Sequence, residues 1–277
     1  MKNNSRKRGA AVVIPLYKSF LTDSEVFSLH NTANVLGGHD IFIIGPKKLE
    51  DALSRLIMAS GFAFRLRLFS DKFFNSIAGY NQLLMSGFFY QSFSDYKYIL
   101  IAQTDALVFS DELNKWCATN YSYIGAPWFN GFAQPLKPLE FLGIGNGGFS
   151  LRNITDFLKV LKYPKRINNN IQKNYRGSKP IKLLKFIVDN CFFSYSFRPF
   201  MPRINEDIFW GLLVPENFSF FTVPTFHESI SFAFEVEPRF LYELNQHRLP
   251  FGCHAWEKYD LKFWEQVLPE HGIKLQQ

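Results

Sequence analysis

Residues 98–109, YILIAQTDALVF, form an apolar run that is interrupted once, by Gln103-Thr104-Asp105. The first half has the composition of a buried strand, and a carboxylate at its end is costly unless something binds it. Mg²⁺ and Mn²⁺ favour oxygen ligands and often bind proteins through one or two carboxylates. Asp105 is therefore a candidate metal ligand. The ordinary alternative is an aspartate that caps the next turn together with Thr104.

The sequence before this stretch alternates between strand-like and helix-like segments. We predict strands at 12–16, 41–44, 64–69 and 98–102, and helices at 23–36, 49–59 and 75–90. Asp23 or Ser24 is expected to cap the first helix. Such alternation indicates an α/β fold with a mixed, mostly parallel central sheet flanked by helices. The later part is less regular, with helices at 111–120, 154–161, 205–214 and 258–267 and extended pieces at 218–226 and 231–235.

Three of the predicted strands end in residues that can contact a ligand. These ends are Pro15-Leu16-Tyr17, Gly45-Pro46 and Gln103-Thr104-Asp105. Ligands of open α/β sheets bind outside the carboxyl ends of the strands. We therefore expect the three ends to meet at one site.

Composition limits the class of protein. The chain has 277 residues, 47% hydrophobic and 18% aromatic, with no internal repeat or long linker, which favours one globular domain. Its three cysteines contain no CxxC pair, so we expect neither a disulfide framework nor structural zinc. We predict no signal peptide or spanning helix, and we place the protein in the cytoplasm.

The net charge of +7 is concentrated in one segment, residues 157–188, which has no acidic residue. This segment is either a solvated face or a patch for anionic membrane or a phosphate-bearing acceptor. Nucleic acid is not expected as a partner, because interleaved stacking aromatics and known DNA-binding motifs are missing. The basic residues are Lys159, Lys162, Lys165, Arg166, Lys173, Arg176, Lys179, Lys182 and Lys185.

Three later motifs also carry chemistry. The glycines of GNGGFS (145–150) allow a backbone to approach a ligand, although a tight turn explains them equally well. Glu206-Asp207 begins a predicted helix, so the pair either complements the helix dipole or supplies a general base. His254 is either a satisfied core histidine or a metal ligand.

The order of these motifs resembles that of GT-A-fold glycosyltransferases. YIGAPW (123–128) and GNGGFSLRN (145–153) are similar to a bacterial and fungal family of sugar transferases classed as a domain of unknown function. QTD (103–105), NED (205–207) and HAW (254–256) match in order, so the resemblance covers residues 12–256. It extends more distantly to the β-1,4-galactosyltransferases. The resemblance implies a Rossmann-like GT-A domain over 1–277, with a nucleotide-binding half (10–110) and a catalytic half (111–277).

The resemblance also implies roles for individual residues. It makes Asp207 the general base of an inverting hexosyl transfer from a nucleoside diphosphate sugar, preferably a UDP-sugar, with Glu206 binding a sugar hydroxyl. Asp105 and His254 would hold Mn²⁺ or Mg²⁺. The donor would contact Pro15, Leu16, Tyr17, Asn75, Tyr80, Asn81, Gln103, Thr104, Asp105, Gly147 and Gly148, and the acceptor Trp128 and Asn146.

One position departs from the family pattern, because Gln103 replaces the first aspartate of the DxD motif. The site is then weakly metal-dependent, or basic side chains such as Arg152 neutralise the diphosphate instead. A retaining transferase and an inactive carbohydrate-binding relative remain as alternatives, and a nucleotidyltransferase ranks below them. The implied setting is surface polysaccharide synthesis, such as O-antigen, on a glycan or lipid-linked acceptor, with the protein peripheral on the inner membrane.

Overall fold

A computed structural model describes residues 7–162 and 205–273. Six strands form the central sheet in the order β3-β2-β1-β4-β9-β6, and β10-β11-β5 and β7-β8 form two smaller sheets. The strands are β1 Arg8–Pro15, β2 Asp40–Pro46, β3 Phe64–Phe69, β4 Tyr96–Ala102, β5 Ala106–Val108, β6 Tyr123–Ile124, β7 Pro127–Phe129, β8 Phe141–Ile144, β9 Phe149–Asn153, β10 Ala233–Phe234 and β11 Gly252–His254.

The four strands from β3 to β4 are parallel, whereas β9 is antiparallel to both β4 and β6. This confirms the predicted mixed, mostly parallel sheet and all four early strands. Strands from both predicted halves of the chain share the sheet, and the division at 110–111 remains a prediction.

Helices cover the two faces of the sheet. They are α1 Asp23–Val35, α2 Glu50–Ser60, α3 Ile77–Leu84, α4 Gly87–Gln91, α5 Leu113–Ala118, α6 Ile154–Leu161, α7 Glu206–Ile208, α8 Val214–Asn217, α9 Phe226–Phe232, α10 Pro238–Leu244 and α11 Leu261–Glu270. The π-helical turn Phe209–Leu213 joins α7 to α8, and 3₁₀ turns lie at Lys47–Leu49 and Asp71–Phe73.

Two predictions about helices are wrong in detail. The single helix over 75–90 is two helices, because Ser86 between them is extended at φ −102° and ψ 137°. Helix α1 is capped by Thr22 rather than by Asp23 or Ser24, and Thr22 forms a capping box with Glu25.

The predicted extended piece at 218–226 forms no strand, and that at 231–235 forms only β10.

Residues 10–15 of β1 and 98–102 of β4 are buried on both faces, which explains their continuous apolar sequence. On one face, Val13 and Ile101 pack in a cluster that includes Tyr90, Phe157 and Trp210. On the other face, residues such as Val12 and Leu100 pack against α1 and α5. Phenylalanines contribute to both layers, for example Phe89 in the first and Phe149 in the second.

The pairing order opens a crevice at one edge of the sheet. Because β1 lies between β2 and β4, the chain leaves β1 and β4 in different directions, which is the position where open α/β sheets bind ligands. Strand β9 runs back along β4, so Gly147 and Gly148 lie at the carboxyl end of β4, where Gln103 N donates to Gly148 O at 2.8 Å.

Among the described residues, no helix is long and apolar enough to cross a membrane. Most of the basic segment 157–188 lies outside the described residues. The membrane prediction attached to this segment is therefore untested.

Candidate active site

A cleft of about 470 Å³ opens at the carboxyl ends of β1 and β4. Ten of the predicted site residues line it: Tyr17, Asn75, Tyr80, Asn81, Gln103, Gly147, Gly148, Glu206, Asp207 and His254. Phe74, Ser76, Ile77 and Asn205 line it as well and were not predicted. Segments far apart in sequence therefore converge on one cleft.

Asp105 and His254 meet beside this cleft because β5 and β11 are antiparallel. The register pairs His254 with Ala106, which places the imidazole next to the preceding residue, Asp105. His254 Nε2 lies 3.3 Å from Asp105 Oδ1 and 3.3 Å from Gln103 Oε1. The other ring nitrogen, Nδ1, lies 2.8 Å from Glu235 Oε1.

The carboxylates control the protonation of His254. Burial alone would lower the pKa of His254, but the charges and hydrogen bonds of Asp105 and Glu235 outweigh it and raise the pKa to about 10. Burial opposes ionisation of Asp105, yet the neighbouring His254 brings the pKa of Asp105 below its ordinary value. Without a metal ion, the side chains of Asp105, His254 and Glu235 form a hydrogen-bonded chain of charged groups.

The same donors fit a divalent cation that takes further ligands from a substrate. Two neighbouring ligands of a six-coordinate ion, each about 2.1 Å from it, lie roughly 3 Å apart. The separations of 3.3 Å from His254 Nε2 to Asp105 and Gln103 are close to this value. No three His, Cys, Asp or Glu side chains in the described ranges are arranged to hold an ion by themselves. A divalent ion beside His254 would therefore need further oxygen ligands from a substrate or from water.

Asp207 adjoins Gly147, whereas His254 adjoins Gly148. Its Oδ2 accepts from Gly147 N at 3.2 Å and its Oδ1 from Ile208 N at 2.8 Å. Burial, and then the charges of Glu206 and Glu235, raise the pKa of Asp207 to about 7. A carboxyl with such a pKa, at the wall of a cleft, is suited to general-base chemistry near neutral pH.

Glu206 is held by Arg152 in a buried ion pair. Arg152 Nη1 and Nη2 each donate to one carboxylate oxygen of Glu206 at 2.8 Å, and the two side chains are 0% and 4% exposed. Arg152 also donates to Gly147 O at 3.3 Å and to Tyr90 Oη at 3.2 Å. The suggestion that Arg152 neutralises a diphosphate is therefore wrong, because its guanidinium is inside the core. The predicted contact of Glu206 with a sugar hydroxyl is untested.

Residues 145–148, here called the glycine loop, are shaped by their neighbours. A Cβ on Gly148 would lie 2.0 Å from His254 Nε2, and one on Gly147 would lie 2.4 Å from Glu206 Oε1. Asn146 has φ 75°, and its Oδ1 accepts from Gly148 N and Phe149 N. Because Asn146 is 1% exposed, the structure does not support its predicted contact with an acceptor.

Trp128 is also buried, at 7% exposure, and does not line the cleft. Its indole packs on Gly145, and its Nε1 donates to Glu235 Oε2 at 2.9 Å. The structure therefore does not support the prediction that Trp128 stacks on an acceptor. Sequence reasoning missed Glu235, although it follows the apolar strand residues Ala233 and Phe234 just as Asp105 follows a strand.

The other residues that were predicted to contact the donor differ in their exposure and in their hydrogen-bond partners. Tyr17 is 57% exposed at the cleft, whereas Leu16 is 1% exposed and belongs to the core, and Pro15 is also buried. Thr104 Oγ1 donates to Glu25 Oε1 at 3.3 Å. Asn81 Nδ2 donates to Asn205 Oδ1 at 3.1 Å.

The structure resembles solved glycosyltransferases. It matches the galactosyltransferase LgtC, solved with donor and acceptor sugar analogues, over 96% of this chain and 97% of that chain, with 12% identity and a TM-score of 0.50. It matches apo GlyE of Streptococcus pneumoniae TIGR4 over 95% of this chain, with 12% identity and a TM-score of 0.49. This chain spans 60% of the GlyE chain. Mouse xyloside xylosyltransferase 1 gives 9% identity, a TM-score of 0.49, and coverage of 89% and 97%.

At this identity, the likeness to LgtC shows the fold and confirms the predicted GT-A-like α/β class. No curated protein matches the sequence. Residues 63–254, more than half of the chain, match the model of a family described as "Protein of unknown function (DUF5672)". This chain is therefore a member of the DUF5672 family.

Proposed function

We propose that the chain is a glycosyltransferase that moves a hexose from a nucleoside diphosphate sugar to a hydroxyl of a saccharide acceptor. The observation that carries this proposal is the position of Asp207. Its carboxylate lies at the wall of the cleft, is held by two backbone N–H groups, and forms no ion pair with the described residues. The neighbouring Glu206, by contrast, is fully paired with Arg152.

The proposed reaction is a single inverting displacement. The acceptor oxygen attacks the anomeric carbon as its proton passes to an Oδ of Asp207, and the bond from that carbon to the diphosphate oxygen breaks. The pKa of about 7 keeps a useful fraction of Asp207 ionised at neutral pH. Holding the two sugars in line supplies a further part of the acceleration.

Asp105, His254 and the amide oxygen of Gln103 would hold the divalent ion, Mn²⁺ or Mg²⁺. When bound, the ion would stabilise the negative charge of the leaving diphosphate. His254 adjoins Gly148, and Asp207 adjoins Gly147. In this proposal the leaving group and the base therefore lie beside different residues of the glycine loop.

For the donor we favour a UDP-sugar, with the base near the exposed ring of Tyr17 and near Asn75, Tyr80 and Asn81. This preference rests on the resemblance in sequence. The same resemblance leads us to propose a glycan or lipid-linked acceptor in surface polysaccharide synthesis, such as lipopolysaccharide or capsule, in bacteria. In this proposal the protein works in the cytoplasm, and residues 157–188 bring it to the anionic inner membrane.

An inactive carbohydrate-binding protein on the same fold is the second candidate. Gln103 favours it, because an amide oxygen is a weaker ligand than a carboxylate for a hard cation. A retaining transferase is separated from the inverting one by the anomeric configuration of the product.

The test is to incubate the purified chain with a panel of UDP-, GDP- and ADP-hexoses and Mn²⁺ and to measure the released nucleoside diphosphate. We expect slow hydrolysis of at least one donor and its loss in Asp207→Asn. Asp95→Asn is the matched control, since exposed Asp95 directly precedes β4, at the opposite edge of the sheet. Binding of a donor with no hydrolysis or transfer would favour the inactive alternative.

A further inference from the structure

We infer that Glu235 is a positioning residue that sets the tautomer of His254 and so turns Nε2 toward the metal. This inference rests on the metal ligands proposed above, Asp105 and His254. Glu235 belongs to none of the sequence motifs that point to Asp105 and His254.

The carboxylate of Glu235 has two assigned partners, one on each oxygen. Oε1 lies 2.8 Å from His254 Nδ1, and Oε2 accepts from Trp128 Nε1 at 2.9 Å. The side chain is 12% exposed, so water competes little for these bonds. An ionised carboxylate only accepts hydrogen bonds, so Nδ1 carries a hydrogen whenever this bond is present. When a metal ion binds, the ring therefore gives up the proton on Nε2, which faces Asp105 and Gln103, and Nδ1 keeps its hydrogen bond to Glu235.

Glu235 also connects the two ends of the glycine loop. Trp128 packs on Gly145, where an added Cβ would lie 2.3 Å from the indole. His254 packs on Gly148 at the other end. One carboxylate therefore holds both rings that enclose the loop, and it couples the shape of the cleft to the orientation of the metal ligand.

Glu235→Gln is a sharp probe because it keeps the size of the side chain and changes its hydrogen bonding. The indole N–H of Trp128 can only donate, so it needs the single amide oxygen of the glutamine. The amide NH₂ then faces His254 Nδ1 and donates to it. The neutral ring is thereby driven to the tautomer with hydrogen on Nε2, which cannot bind a metal.

The experiment measures Mn²⁺ binding to the full chain by electron paramagnetic resonance at pH 8, without substrate. We expect Glu235→Gln to bind Mn²⁺ about 10–100-fold more weakly, the usual loss for a changed partner of a metal-bound histidine. The pulsed signal of a directly coordinated imidazole nitrogen should be lost as well. Glu243→Gln is the control, because Glu243 is exposed and the change in charge is the same.

A double variant separates the tautomer from the lost charge. In Glu235→Gln with Trp128→Phe the amide is free to turn its oxygen toward Nδ1, so we expect part of the Mn²⁺ affinity to return. The inference is overturned if the double variant regains no Mn²⁺ affinity, or if Glu235→Gln binds Mn²⁺ as tightly as the wild type. A wild-type chain that binds no Mn²⁺ also overturns the inference. If that chain still transferred sugar without metal, the proposed function would stand. Thermal unfolding of each variant checks that it is folded.

Discussion

Asp207 Oδ2 accepts a hydrogen bond from Gly147 N at 3.2 Å, although the two residues are 60 positions apart in the sequence. The carbonyl of the same glycine accepts from Arg152, which holds Glu206, the neighbour of Asp207. Both carboxylates at the start of α7 are thus hydrogen-bonded to the glycine loop, Asp207 directly and Glu206 through Arg152. These hydrogen bonds fix the proposed base relative to Gly148 and His254.

Gly148→Ala should disrupt the site without disturbing the rest of the fold. The added Cβ would lie 2.0 Å from His254 Nε2, so the ring must shift by about 1 Å or more. A misplacement of that size costs on the order of 10²-fold in rate. We expect a comparable loss of transfer and weaker Mn²⁺ binding, measured by product formation and by paramagnetic resonance. Gly38→Ala is the control, since a Cβ added there would have no atom within 4 Å.

Arg152→Met should destabilise the protein strongly. It leaves the carboxylate of Glu206 buried without a partner, which costs about 3–5 kcal/mol for a broken buried pair. The free energy of unfolding in urea measures the effect. Lys115→Met breaks an exposed pair with Glu112 of similar length, 2.9 Å, and should cost less than about 1 kcal/mol. Equal losses in the two variants would contradict the role given to Arg152.

The pH dependence of kcat/KM should show one ionisation of Asp207. Burial and then Glu206 and Glu235 raise its pKa to about 7, and only the ionised form is a base. We expect kcat/KM to fall as much as tenfold for each pH unit below about 7 and to level off above it. A profile that stays flat from pH 5 to 8 would contradict the assignment.

The same ionisation affects stability. The pKa of Asp207 rises from an ordinary value of 3.8 to about 7 on folding, so the folded chain binds the extra proton between these values. Ionisation of Asp207 therefore lowers stability as the pH rises through this window. The melting temperature of Asp207→Asn minus that of the wild type should increase from pH 5 to pH 8. A constant difference would show that Asp207 titrates alike in both states.

The sequence predicted the early strands and the elements of the cleft well, because their signals are local. Buried parallel strands such as β4 are continuous apolar runs, and a carboxylate at the end of such a run is conspicuous. The order of motifs then placed Asp105, Asp207 and His254 together. The break between α3 and α4 escaped prediction because no proline or charged residue interrupts 75–90, and only Ser86-Gly87 marks the break.

Partner choice was less predictable, since it depends on contacts across the fold. Nothing local says that Arg152 points inward to Glu206, or that Trp128 binds Glu235 across 107 residues. Sequence reasoning therefore assigns Arg152 and Trp128 to substrate. In the structure, Arg152 binds Glu206 and Trp128 binds Glu235. Glu235 shares the strand-end signal of Asp105, but its strand is only two residues long.

The most direct test of the central claim is the turnover of Asp207→Asn with an identified donor and acceptor. We expect donor binding, measured by calorimetry, to be retained within about threefold while turnover falls by about 10²–10⁴-fold, the range for a lost general base. Asp95→Asn should match the wild type in both measurements. Normal turnover by Asp207→Asn would contradict the account.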